Sequence, residues 1–130
     1  MDKFLLFINS AYFGLGVFFS FYVAPTLFKL LAKEQAGSVV ERVFPIYFGI
    51  GLAASLLTLV LGLRLGKAIA FLALINSVMH ALHLLYILPT AHALKAVDYQ
   101  AFMKWHGVSM ATNLTSLLIT LIICVVLIRR

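Results

Sequence analysis

The chain has 130 residues, of which 64% are hydrophobic and only 11% charged, and its formal net charge is +6. Because about a quarter of the residues in a soluble domain are charged, this composition excludes a soluble domain and indicates one small domain surrounded by lipid. The basic residues lie at the ends of hydrophobic segments, where membrane anchors occur, so we expect lipid as a partner and no nucleic acid.

Four segments contain no charged residue at all, and they lie at 4–28, 43–63, 68–94 and 105–128. Each exceeds the roughly 20 apolar residues that a helix needs to cross a bilayer, and none alternates as the strands of a barrel do. The sequence therefore predicts an all-α fold, an integral membrane four-helix bundle that is antiparallel and up-down-up-down. It forms a single transmembrane domain over residues 1–130, with helices at about 4–31, 43–63, 68–89 and 100–128.

The first predicted helix is an uncleaved signal anchor that contains Pro25 near its end. A proline inside a helix removes a backbone hydrogen bond, so we expect a kink, or a break that leaves 26–32 as an interfacial turn. A polar loop at 33–38 follows. Pro45 then suits the first turn of the second helix.

The turn at 63–67 is so short that the second and third helices must be antiparallel neighbours. Pro89 is expected to end the third helix, and a second polar loop at 90–99 contains His92, which we expect to be solvated. The two halves of the chain show no similarity beyond that of four apolar helices.

Four crossings place both termini on the same side of the membrane. The ten cations divide evenly between the two sides, so their number alone does not decide the orientation. The cations on the terminal side lie closer to the helix ends, and two of them share the short turn. This distribution predicts that both termini are cytoplasmic.

Polar residues are costly inside a membrane, so their spacing is informative. In the third and fourth helices they recur at intervals of three and four, which places each series on one helix face. The series are Asn76, His80 and His83 in the third helix, and His106, Ser109, Asn113, Ser116 and Thr120 in the fourth. We expect these faces to pack together through hydrogen bonds between side chains.

Depth suggests that the histidines meet. His83 lies about six residues inside Pro89 and His106 about seven inside Tyr99, which places both about 10 Å below one surface. With His80 one turn deeper, three histidines are predicted to converge. Three roles remain open for them: structural hydrogen bonding, ligation of haem b or a metal ion, or a path for protons or substrate.

The second helix carries small residues four positions apart, a spacing that lets helices approach closely. The pairs are Gly49/Ala53, Gly51/Ser55 and Gly62/Gly66. They predict a homo-oligomer that associates through helix two.

Three segments in order resemble the transmembrane protein 205-like (DUF4149) family. They are Ala24-Pro25-Thr26-Leu27-Phe28, Val43-Phe44-Pro45-Ile46-Tyr47-Phe48, and Trp105-His106-Gly107-Val108-Ser109 followed by Asn113. The resemblance implies a small four-helix protein of the bacterial cell inner (plasma) membrane without an established activity. The family is also distantly similar to CopD-type copper-uptake proteins and to HemJ-type protoporphyrinogen oxidases, which use haem.

Together these observations predict a protein that binds or transports a small ligand, either haem, a metal ion or an apolar molecule. The expected site consists of His80, His83 and His106, with a polar seam of Asn76, Ser109 and Asn113. One alternative is a structural or assembly subunit whose seam only packs helices. Another is a haem-dependent membrane oxidoreductase, although the bundle has no intramembrane Lys or Arg to hold a propionate. We assign no catalytic residue.

Overall fold

The computed structural model describes all residues, Met1–Arg130, and consists of four long helices without strands. They are α1 (Asp2–Leu30), α2 (Lys33–Gly62), α3 (Lys67–Leu94) and α4 (Tyr99–Ile128), and each contains an 18-residue apolar stretch, with mean hydropathies of 1.8, 2.0, 1.9 and 2.4. Helices of 28 to 30 residues span about 42–45 Å, which exceeds the roughly 30 Å of a hydrocarbon core. The predicted all-α, four-helix membrane fold is confirmed.

Two helix bounds differ from those expected from the sequence. α2 begins at Lys33 rather than near 43, so the expected polar loop at 33–38 is helical, and α3 runs to Leu94 instead of stopping at Pro89. The uncharged segments mark only the part of a helix that lies in hydrocarbon. Both extensions are amphipathic, and Ala36 and Ala91 are buried against the bundle while their neighbours are exposed.

Neither of the prolines in α1 and α3 breaks its helix, because a wide π-helical turn precedes each one. These turns are Phe19–Val23 and His83–Ile87. The amide of Ala24 donates to the carbonyl of Phe19, and the amide of Leu88 donates to that of His83, each five residues back. The wide turn displaces the carbonyl that the following proline ring would otherwise meet, so the helix continues.

The two hairpins, α1–α2 and α3–α4, correspond to each other in ways that we did not expect from the sequence. The motif Tyr-x-x-Pro-Thr occurs at 22–26 and again at 86–90, and each copy begins within one of the two π-helical turns. Each hairpin also contains an Asn–Thr hydrogen bond between its helices. The donors and acceptors are Asn9 to Thr58 at 3.0 Å and Asn76 to Thr120 at 3.0 Å.

The end of the bundle that carries the termini is tightly closed. The turn between α2 and α3 contains Gly66 at a φ of 149°, a conformation that favours glycine. Arg130 donates to Asp2 at 2.9 Å and to the carbonyl of Leu65, which ties both termini to that turn. Deeper in the bundle than these Arg130 contacts lies an apolar cluster, which consists of buried Leu5, Ile69, Ile123 and Leu127.

Most of the small residues on α2 are used within the bundle. A Cβ added to Gly51 would meet Tyr12 and His80, and one added to Gly62 would meet Ile69. Gly49 has no atom within 4 Å of that position, and Ala53 is exposed beside it. Of the pairs expected to mediate self-association, only Gly49/Ala53 lies on the outer surface.

Candidate functional site

The interior of the bundle contains many polar side chains, and its exterior is apolar, as expected for a protein in lipid. Large hydrophobic side chains such as Phe7 and Leu85 are 73% and 79% exposed. The buried polar residues are Asn9, Ser55, Thr58, Asn76, Ser77, His80, His83, Ser109, Ser116 and Thr120. Six of these ten belong to the two polar series predicted for the third and fourth helices.

The faces of α3 and α4 pack against each other through a closed hydrogen-bond network. Ser116 donates to Asn76 Oδ1 at 3.0 Å, and Asn76 donates to Thr120. Because the single Ser116 proton is used there, the 3.0 Å contact between Ser116 and His80 Nε2 requires the imidazole N–H to donate. Thr120 in turn donates to the Ser116 carbonyl at 2.9 Å. These bonds join α3 to α4 in the interior of the bundle.

A second polar group ties three helices together nearer the loops. Tyr47 donates to Asn113 at 2.9 Å, and Asn113 donates to Ser20 at 2.8 Å. His83 Nε2 lies 2.6 Å from the Ser109 hydroxyl, and its ring stacks on Phe48 with centroids 3.6 Å apart. Two of the three segments that suggested the family resemblance, at 43–48 and 105–113, therefore meet at this level of the bundle.

Tyr12 also lies in this interior, although it was not among the predicted site residues. It is 4% exposed, stacks on Tyr47 at 5.3 Å and meets His80 edge-on at 5.4 Å, while its hydroxyl has no hydrogen-bond partner. Its spacing of three from Asn9 and four from Gly16 places it on the buried face of α1. That periodicity could have identified Tyr12 as buried, but only the more polar residues of the helices were considered as site residues.

A cavity of about 850 Å³ opens at the loop end, away from the termini. It lies between α2, α3 and α4, and α1 contributes only Phe28. Its deeper wall is apolar, and Ser109 lies at its floor beside His106. The apolar wall includes Phe44, Pro45, Leu84, Leu88, Phe102 and Met103, and the polar rim includes Lys33, Glu41, Arg42, His92, Lys95 and Tyr99.

The predicted convergence of three histidines does not occur. His106 lines the cavity and stacks on Phe102 at 6.1 Å, whereas His80 and His83 lie deeper and bond to serines. The expected common depth was measured from Pro89, but α3 extends to Leu94. That extension places His83 about four residues, or roughly 6 Å, deeper than His106 relative to the loop.

The haem or metal ligation expected as one of the alternatives is not shown by this arrangement. No group of three or more His, Cys, Asp or Glu side chains is placed to hold a metal ion. The Nε2 atoms of His80 and His83 are both engaged by serine hydroxyls. His92, expected to be solvated in a loop, is an exposed residue of α3, and its Nδ1 lies 3.4 Å from Glu41.

Comparisons with known proteins agree with the resemblance noted in the sequence. A family model described as a domain of unknown function (DUF4149) matches residues 7–100, which include most of α1 and all of α2 and α3. An uncharacterized protein of Aquifex aeolicus (strain VF5) is 49% identical over 120 residues, which cover 92% of this chain and 91% of the relative. No solved structure matches the chain.

Proposed function

The chain belongs to the DUF4149 family, and from the geometry of its cavity we propose that it binds a small apolar or amphipathic molecule taken from the membrane. The observation that supports this proposal is the open volume of about 850 Å³, whose wall is apolar and whose mouth is polar. Small-molecule sites are typically concave and mostly apolar, with a few polar groups that set orientation.

The deeper polar seam has a different role in this proposal. His80, Asn76 and Ser116 bond to one another, and none of them lines the cavity. The seam therefore supports the packing function that was the main alternative, while His106 and Ser109 belong to the ligand cavity. One chain combines a structural seam with a binding site above it.

Blocking the cavity is expected to abolish ligand entry. A Cβ at Gly37 would meet only the flexible end of Lys95, so Gly37→Phe places a ring in the cavity without a backbone clash. The matched control is Gly49→Phe on the same helix, where nothing lies within 4 Å. In nanodiscs, a brominated monoacylglycerol should quench Trp105 less in Gly37→Phe than in the wild type or Gly49→Phe. Equal quenching in all three proteins would contradict the proposal.

We also propose that the protein lies in the cell inner membrane with both termini in the cytoplasm, as the cation distribution favours. The cavity would then open towards the cell exterior. In a Cys124→Ala background, a membrane-impermeant maleimide added to whole cells should label Val97→Cys between α3 and α4 but not Leu63→Cys. Both positions are exposed, at 83% and 69%, so the reverse pattern would show the opposite orientation.

A further inference from the structure

The rim of the cavity carries an excess of positive charge. Glu41 is its one carboxylate, and it accepts from Lys95 Nζ at 2.8 Å, so these two charges offset each other. Lys33 donates to the neutral hydroxyl of Tyr99 and lies 4.1 Å from the centroid of that ring. Arg42 makes no hydrogen bond or ion pair within the chain. Two cations of the rim therefore have no carboxylate partner.

Arg42 lies at the depth of a lipid head group, and Lys33 lies nine residues, or about 14 Å, further towards the water along the same helix. Arg42 is the last charged residue of α2 before the uncharged segment at 43–63, and Lys33 lies at the N-terminal end of the same helix. Directly below them, the wall of the cavity is formed by Phe44, Leu84 and Leu88. A molecule that satisfies both zones has an anionic group at the rim and an apolar chain beneath it.

A phosphate group is the anion that this rim suits best. The planar guanidinium of Arg42 presents paired N–H donors that match two phosphate oxygens, and the ammonium of Lys33 adds a second positive charge further out on the rim. No other carboxylate lines the cavity to oppose an anion. A direct, charge-assisted contact with the phosphate should favour anionic lipid several-fold beyond the general attraction of surface cations.

We propose that the cavity binds an anionic phospholipid, with Arg42 holding its phosphate group, Lys33 attracting the outer part of the head group, and the start of an acyl chain lying against Phe44 and Leu88. This inference rests on the proposed function, since it names the class of molecule that enters the same cavity. Neither cation has a carboxylate partner within the chain, and the bound lipid would supply the anion that they lack.

The test uses the single tryptophan as a reporter. Trp105 precedes His106, which lines the cavity, and it packs edge-on against Tyr86 at 5.5 Å. In nanodiscs of unlabelled phosphatidylcholine, brominated phosphatidylglycerol should reach half-maximal quenching at a several-fold lower mole fraction than brominated phosphatidylcholine. Arg42→Gln should raise that mole fraction several-fold, because it removes a direct contact with the phosphate, and Lys33→Gln should raise it by a smaller factor.

Two controls separate a bound lipid from general attraction to the surface. Lys104→Gln removes an exposed cation at the same end of the bundle that does not line the cavity, and it should leave the preference unchanged. An equal loss in Lys104→Gln would overturn the proposal. So would displacement of phosphatidylglycerol by millimolar inorganic phosphate, because the rim would then recognise a free anion.

The cavity variant distinguishes failure of this inference from failure of the proposed function. If both lipids quench equally and Gly37→Phe weakens both, the cavity binds amphiphiles without charge selection and only this inference fails. If Gly37→Phe changes neither lipid while Gly49→Phe behaves like the wild type, the cavity takes no lipid and both proposals fail.

Discussion

Gly51→Ala is expected to destabilise the bundle by about 1–3 kcal/mol, because the added methyl group overpacks a filled interior. Its Cβ would lie 2.6 Å from Tyr12 Cζ and 2.6 Å from His80 Cε1. Neither ring can retreat easily, since Tyr12 is stacked on Tyr47 and His80 is held by Ser116. Unfolding in mixed micelles by added sodium dodecyl sulfate, followed by circular dichroism, measures the loss.

Gly49→Ala is the matched control for this substitution. It lies two residues away on α2, with no atom within 4 Å of an added Cβ. Both variants gain the same helix propensity, worth about 0.5–1 kcal/mol, so their difference isolates the packing cost. We expect Gly49→Ala to be neutral or slightly stabilising. Equal stabilities for the two variants would show that the rings around Gly51 repack freely.

The periodicity of the sequence was sufficient to predict which faces meet, because a helix in lipid must turn its polar side chains inward. The packing of the face that carries Asn76 against the face that carries Thr120 follows from that rule, and the hydrogen bond between these two residues is a detail that the structure adds. Tyr12 was missed because a tyrosine in a membrane helix is equally compatible with a buried position and with a position at the lipid interface. Only its spacing from Asn9 and Gly16, on the same helix face, indicates that it is buried. Four separate helices were predictable from the uncharged segments for the same physical reason.

The cavity and the depth of the histidines were not predictable by these means. Depth depends on where α3 ends, and a π-turn before Pro89 carries that helix further than the proline rule allows. Which rim cations lack a carboxylate depends on which cation Glu41 pairs with, and spacing along the chain does not fix that choice. The pattern of one helix contains neither the local π-turn nor the contacts between helices.

His80→Ala and His83→Ala are expected to destabilise the protein by about 2–3 kcal/mol each, because each leaves a cavity and removes a buried hydrogen bond. His80 is 2% exposed and His83 is 1% exposed, and His83 also stacks on Phe48. His106→Ala should cost less than about 1 kcal/mol, since His106 is half-buried and has no hydrogen-bond partner in the chain. Unfolding of the three variants under the conditions used for Gly51→Ala gives the comparison.

A conservative variant distinguishes hydrogen bonding from ligation at His83. His83→Gln retains a side-chain group that can bond to Ser109 but lacks the imidazole that a haem iron prefers, so it should recover part of the stability lost in His83→Ala. The visible spectrum of the same purified samples tests the opposing interpretation, in which His83 ligates a haem iron. A Soret band in the wild type that His83→Gln abolishes, without any loss of stability in His83→Ala, would replace the structural role of His83 with a haem site. The engaged Nε2 atom and the stacked ring favour the structural role, because an axial ligand would have to give up both contacts.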